Sequence, residues 1–135
     1  MIDPVAKLYA FLAGKTAITA YTSTRIYAET AFPPPSYKPS DGRALCFKVR
    51  PGAFGHEGDV LVLSVAFTCW AAAATTQTAE ERAWELWRAV LDLVESGGAG
   101  GSVRCTWTEL TGETLYTEAG WPYVFGAMRV ALDNS

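Results

Sequence analysis

The sequence predicts an α+β domain in which an antiparallel sheet of about four strands carries two helices on one face. Two observations predict this class: a long alternating strand from Val60 to Trp70, and an amphipathic helix that begins after Thr78. The elements run helix, two strands, helix, and then two or three strands. This order is typical of a two-layer sandwich, because strands and helices do not alternate as in βαβ units.

The stretch from Val60 to Trp70 alternates large apolar residues with small or polar ones. Successive side chains of a strand point to opposite faces, so the alternation predicts one face in the core and one small face open to water or to a partner. The core face consists of Leu61, Leu63, Val65, Phe67 and Cys69, and the small face consists of Val62, Ser64, Ala66 and Thr68.

The helix after Thr78 has a defined start and a defined end. Thr78 and Glu81 form a Thr-x-x-Glu capping box, which satisfies N–H groups of the first turn. Glycines from Gly97 to Gly101 end the helix, and no Lys-Ser/Thr pair follows them, so we interpret them as a cap and not as a phosphate loop. The apolar stripe of the helix consists of Ala83, Trp84, Trp87, Val90, Leu91 and Val94.

Further elements precede and follow this pair. Asp3 and Pro4 begin a first helix whose apolar stripe continues to Gly14. After it we expect an extended piece over Arg25 to Tyr27, a polyproline-like passage over Pro33 to Pro39, a strand over Ala44 to Arg50, a long loop over Pro51 to Asp59, and two later strands over Val103 to Glu109 and Tyr123 to Leu132. Val103, Cys105 and Trp107 are predicted to point inward, with turns at Thr111 to Glu113 and at Gly120 to Pro122.

Composition limits the class of function. The 135 residues are one domain's length, the net charge is −3, and the 11 basic residues are scattered. Sequence-independent binding of nucleic acid requires clustered Lys and Arg, so we expect that DNA passes this protein without binding to it. No apolar run reaches the roughly 18 residues of a membrane span, and no secretion signal is evident, so we expect synthesis in the cytoplasm.

The residues that most often carry chemistry form no known motif. The three cysteines, Cys46, Cys69 and Cys105, each lie in a predicted strand, and His56 is the one histidine. We interpret the cysteines as buried, reduced thiols; a Cys–His nucleophilic pair is the alternative. We found no paired carboxylates, no zinc-ligand spacing and no serine elbow, and we therefore expect no enzyme, no cofactor and no metal.

Several local patterns together resemble the tail-terminator, or tail-completion, proteins of long-tailed bacteriophages and phage-derived particles. The patterns are a short first helix, an Arg-Ile-Tyr piece at Arg25 to Tyr27, a proline-rich passage, a Val-x-Phe-x-x-Trp stretch at Val65 to Trp70, and an Ala-Glu-Glu-Arg-Ala helix at Ala79 to Ala83. The resemblance spans most of residues 3–132. The chain departs from it in the loop Pro51 to Asp59 and in its triple proline.

The resemblance implies a homo-oligomeric ring, usually a hexamer, that ends the tail tube at its head-proximal end and joins the neck of the virion. The implied partners are further copies of the chain, the tail tube protein and a neck or head–tail connector protein, with DNA in the lumen. A head–tail connector or adaptor ring is the first alternative, and a small ligand-binding domain or enzyme is the second. A ring needs two different contact patches, and we expect contacts at Pro33, Pro34, Pro35, Tyr37, Phe54, His56, Glu57 and Asp59.

Overall fold

The computed structural model describes residues 3–50, 56–57, 60–96 and 103–133 of the chain. These residues form three α-helices and six strands. The helices are α1 (Pro4–Ala13), α2 (Thr16–Thr22) and α3 (Ala79–Ser96). The strands are β1 (Ile26–Ala28), β2 (Ala44–Val49), β3 (His56–Glu57), β4 (Val60–Trp70), β5 (Val103–Tyr116) and β6 (Pro122–Asp133).

One mixed sheet contains all of the described strands, in the order β1-β2-β4-β6-β5, with β3 paired to β4. The pairs β2–β4, β4–β6 and β5–β6 are antiparallel, as the sequence predicts. The pair β1–β2 is parallel, so the prediction of a purely antiparallel sheet of about four strands is wrong in detail. The extended piece predicted over Arg25 to Tyr27 is strand β1, shifted by one residue, whereas β3 lies within the predicted loop and is too short to show a two-residue period.

The core lies between one face of the sheet and all three helices. It includes Leu63, Val65 and Phe67 of β4, which are the residues that the alternation assigns to the core face. From α3 it includes Trp87 and Leu86, the latter outside the predicted stripe. The helical layer on one face is therefore confirmed, with one more helix than predicted.

The additional helix is α2, which the sequence pattern did not predict. Threonines occupy both of its ends, and β-branched residues lower helix propensity. Tertiary packing stabilises it instead, because Ile18 and Thr22 are buried and Ile18 belongs to the main core. By contrast, α1 begins as predicted, with the Asp3 carboxylate accepting from the Val5 and Ala6 N–H groups.

Strand β5 differs most from the prediction. The pairing with β6 shifts between Cys105 and Trp107, between Thr108 and Leu110, and again between Leu110 and Glu113. A bulge of one residue turns the following side chains to the opposite face. Trp107, predicted to point inward, is consequently 63% exposed. The predicted turn at Thr111 to Glu113 is also wrong, because the strand continues through it.

The irregular part of β5 is held by two tryptophans of α3. The indole N–H of Trp87 donates to the Thr111 carbonyl at 2.7 Å, and that of Trp84 donates to the Thr114 hydroxyl at 2.8 Å. Gly112 has a φ of 119°, and an added Cβ there would lie 2.8 Å from the Trp84 and Trp87 rings. The bulge thus needs glycine both for its backbone conformation and for its contact with the indoles.

Gly126 of β6 lies directly beneath the Trp87 ring, and an added Cβ would lie 2.3 Å from its Cζ2 atom. The ring is buried and hydrogen-bonded, so it has little freedom to move away. We expect Gly126→Ala to lower the free energy of unfolding by about 1–3 kcal/mol, as overpacking does in other cores. Urea titration followed by tryptophan fluorescence measures this change.

A double variant provides the control. If the Trp87 ring causes the loss, Gly126→Ala combined with Trp87→Phe will cost less than the sum of the two single variants, because the smaller ring leaves room for the methyl group. Additive costs would contradict this close packing as the cause.

Candidate interaction surface

A segment rich in proline, here called the proline segment (residues 31–42), crosses the sheet face opposite the helices. The Thr68 hydroxyl donates to the Ala31 carbonyl at 2.7 Å. The Phe32 ring lies 5.8 Å from Trp70 and 6.0 Å from Tyr123, which stack on each other at 4.4 Å. The small face of β4 therefore receives a segment of its own chain at this end, and prolines at the surface leave no strand donors exposed there.

Tyr37 fixes the middle of the proline segment. It is 6% exposed and packs in a second apolar cluster with Ala44, Cys46 and Trp70. Its hydroxyl donates to the Gly42 carbonyl at 2.7 Å. Burial raises the pKa of the Tyr37 hydroxyl well above its usual range, so the group stays protonated and remains a donor.

The expected contact residues have different positions. Pro34 and Pro35 are exposed and Pro33 is half-buried, whereas Tyr37 supports the segment from inside and does not present an exposed contact. His56 and Glu57 form β3, so that part of the predicted loop is a strand paired with Val60 and Leu61 of β4. The side chains of His56 and Glu57, and the whole of Phe54 and Asp59, lie outside what the structure describes.

A groove, here called the proline groove, runs between the proline segment and the start of β6. It has a volume of about 530 Å³. Its lining is mainly apolar and includes Pro35, Tyr37, Lys38, Ala72, Trp121 and Pro122. Lys38 and Trp121 are exposed. The sequence predicted the prolines as contacts, but not Trp121, which follows the turn at Gly120 and belongs to no periodic pattern.

The outer edge of β5 is one margin of the sheet, and the end of β5 at Tyr116 pairs with Pro122 beside the proline groove. Strand β5 is last in the sheet order, and within the described residues no strand pairs with its outer side. Trp107, Glu109 and Glu113 are exposed there, and we call this set the β5 edge. Glu109 also accepts a hydrogen bond from the Ser64 hydroxyl at 2.6 Å. Unpaired strand edges and exposed aromatic residues are both features of interaction surfaces.

Arg43 connects the start of β2 to the helices, a contact that no sequence pattern indicated. Its Nη2 lies 3.2 Å from Glu85 Oε1, and its guanidinium lies 4.6 Å from the Tyr21 ring centre. Burial, and then the positive charge of Arg82, lower the pKa of Arg43. A buried ion pair contributes little net stability, so we interpret this group as fixing the orientation of α2 and α3 on the sheet.

The three cysteines lie in strands, as predicted, and Cys46 and Cys69 are buried while Cys105 is half-buried. Burial raises the pKa of the Cys46 thiol to about 12 and that of the Cys69 thiol well above its usual range. His56 pairs with Leu61, which is about 27 Å from Cys69 along β4 at about 3.4 Å per residue. The backbone of His56 is thus about 27 Å from Cys69, which is too far for a Cys–His pair at this thiol.

No family model matches the chain, and no curated protein matches it either. Within the described residues, no helix has the length and apolarity to cross a membrane. No cluster of three or more metal-capable side chains occurs in that same part of the chain.

We expect Tyr37→Phe to lower the free energy of unfolding by about 1–3 kcal/mol, because it leaves the Gly42 carbonyl without its donor. We also expect faster proteolysis within the proline segment. Tyr9→Phe, at the exposed surface of α1, is the matched control and should change neither quantity. Equal stability of the two variants would contradict the role assigned to the Tyr37 hydroxyl.

Thiol labelling tests the burial of the cysteines. In the native protein at pH 7.5, maleimide should modify Cys105 first, because Cys46 and Cys69 are buried and their raised pKa values leave almost no thiolate. In 6 M guanidinium all three should react at similar rates. Mass spectrometry of peptides measures each site, and rapid native labelling of Cys46 would contradict its position beneath the proline segment.

Proposed function

We propose that this chain is a structural subunit of a long-tailed phage or a phage-derived particle, and that its copies form a ring that ends the tail tube at its head-proximal end. The resemblance in sequence motivates the proposal. The observation that carries it is that the described surface has two different candidate contact regions, the apolar proline groove and the β5 edge with its exposed Trp107.

Two different regions are what a ring requires. In a ring the same patch of each copy meets a second patch on its neighbour, whereas a two-fold dimer uses one patch twice. Trp107 pairs with Arg129 of β6, and Pro122 at the start of β6 lines the proline groove. Residues 122 and 129 are about 24 Å apart at about 3.4 Å per residue, so Trp107 and the proline groove are separate on one copy.

The charge of the chain is compatible with a lumen that DNA traverses. The net charge is −3, so repeated copies around a channel repel phosphates more than they retain them. Weak retention is useful where a genome has to leave the particle quickly. The proposed partners are therefore protein surfaces: further copies of the chain, the end of the tail tube, and a neck or connector protein.

Assembly with the tail tube protein of the same particle tests the proposal. The tube protein is polymerised alone and with the purified chain, and the length of the tubes and the occupancy of their ends are measured by electron microscopy. We expect rings, six-fold in projection, at one end of the tubes, and tubes that stop growing there. The reaction without the chain gives the uncapped length distribution.

The alternatives give different results in the same experiment. Binding to a portal-side connector without any effect on tubes would overturn the terminator proposal in favour of a connector ring. A chain that binds neither tubes nor portal-side protein would overturn the proposal of a virion ring altogether.

A further inference from the structure

We propose that neighbouring copies associate by insertion of Trp107, on the β5 edge of one copy, into the proline groove of the next copy. This inference rests on the proposed ring, because it names the two surfaces that form the ring contact. The occupant of the proline groove is thus a second copy of this chain.

The β5 edge presents Trp107 outward because of the bulge that precedes it. The register shift between Cys105 and Trp107 places the indole opposite Arg129, on the sheet face away from the helices, where it is 63% exposed. A tryptophan buries about 150–250 Å² when it is fully covered, so an exposed one favours association strongly. Tryptophan is also among the residues that most often dominate the energy of an interface.

The proline groove has the size and the chemistry to receive an indole. Its 530 Å³ lies within the range of about 300–1,000 Å³ in which pockets enclose small organic groups. Trp121, Pro35 and Pro122 offer flat apolar surfaces against which an aromatic ring packs well. The groove is held open by its own chain, because the Tyr37 hydrogen bond to Gly42 fixes the segment that forms one wall.

The charges around the two surfaces are complementary. Glu113 is an exposed acidic residue of the β5 edge, whereas the Glu109 carboxylate is bound to the Ser64 hydroxyl and the basic Arg129 lies opposite Trp107. Lys38 is the charged residue that lines the described groove, and it is positive and exposed. Opposite charges beside an apolar contact select the correct partner and its orientation more than they raise its affinity.

The geometry makes this contact head-to-tail. One copy cannot fill its own groove, since Trp107 lies about 24 Å along the sheet from Pro122. A patch that binds a different patch on the next copy produces a closed ring or an open filament, according to the rotation between copies. The contact therefore serves the ring proposed above without a second kind of interface.

The first experiment measures the self-association of variants by analytical ultracentrifugation and native mass spectrometry. Trp107→Ala should weaken association by at least about 30-fold, the effect of losing an interface hot spot of 2 kcal/mol or more. Tyr9→Ala, which removes an exposed aromatic residue far from both surfaces, is the matched control and should leave association unchanged. Circular dichroism verifies that both variants fold.

A charge exchange tests the pairing of the two surfaces. Lys38→Glu and Glu113→Lys should each weaken association by about threefold to tenfold, and the double variant should restore it, because the two opposite charges are then exchanged. A photoreactive benzoylphenylalanine at position 107 should form crosslinks to peptides that contain Trp121 or residues 35–40 of another copy.

The outcomes separate this inference from the proposed function. Normal assembly of Trp107→Ala, or crosslinks from position 107 only to other regions, would overturn the inference, and rings on tube ends would still support a terminator. Trp107-dependent rings that ignore tail tubes would support the inference and overturn the terminator proposal. A wild-type chain that remains monomeric in solution at millimolar concentration and binds tube ends only as single copies would also overturn the inference.

Discussion

The contact between Trp87 and the β5–β6 pair is the constraint on which the rest of the structure depends. The Trp87 ring lies against Gly126, and its N–H donates to the Thr111 carbonyl. Through this one side chain, α3 is tied to two neighbouring strands at once. Because the ring occupies the space that a Cβ of Gly126 or Gly112 would need, the identity of three residues is fixed together.

This contact also explains why β5 is irregular. A regular strand would direct the Thr111 carbonyl along the ladder, whereas a bulge releases a backbone group for another partner. Between Leu110 and Glu113 the register shifts, and the released carbonyl accepts from the indole. The shift between Cys105 and Trp107 turns the Trp107 side chain to the surface. Packing inside the core and exposure at the edge are thus both consequences of how β5 deviates from a regular strand.

Features that depend on neighbouring residues in the chain could be predicted from the sequence, and features that depend on contacts between distant residues could not. The bounds of β4, the capping box before α3 and the Asp3 cap of α1 depend on neighbouring residues, and all three are confirmed. Helix α2, the parallel pairing of β1 with β2 and the bulges of β5 depend on tertiary contacts, and the pattern did not predict them. For the interaction surface, the prolines were evident from composition, but Trp121 and the outward turn of Trp107 follow from a turn and from a register shift.

An edge strand as long as β5 favours unwanted strand pairing, because the N–H and C=O groups on its outer side in the described sheet are available to another strand. The chain limits this hazard with three register shifts, which interrupt the ladder, and with acidic residues at the exposed edge. Both devices weaken pairing between identical edges, yet neither prevents a contact made by a single protruding side chain. An edge that disfavours pairing with an identical edge but exposes an indole is suited to a partner groove with apolar walls and a basic residue. The proline groove carries Lys38 beside apolar walls, so its chemistry is complementary to the indole and Glu113 in the head-to-tail contact proposed above.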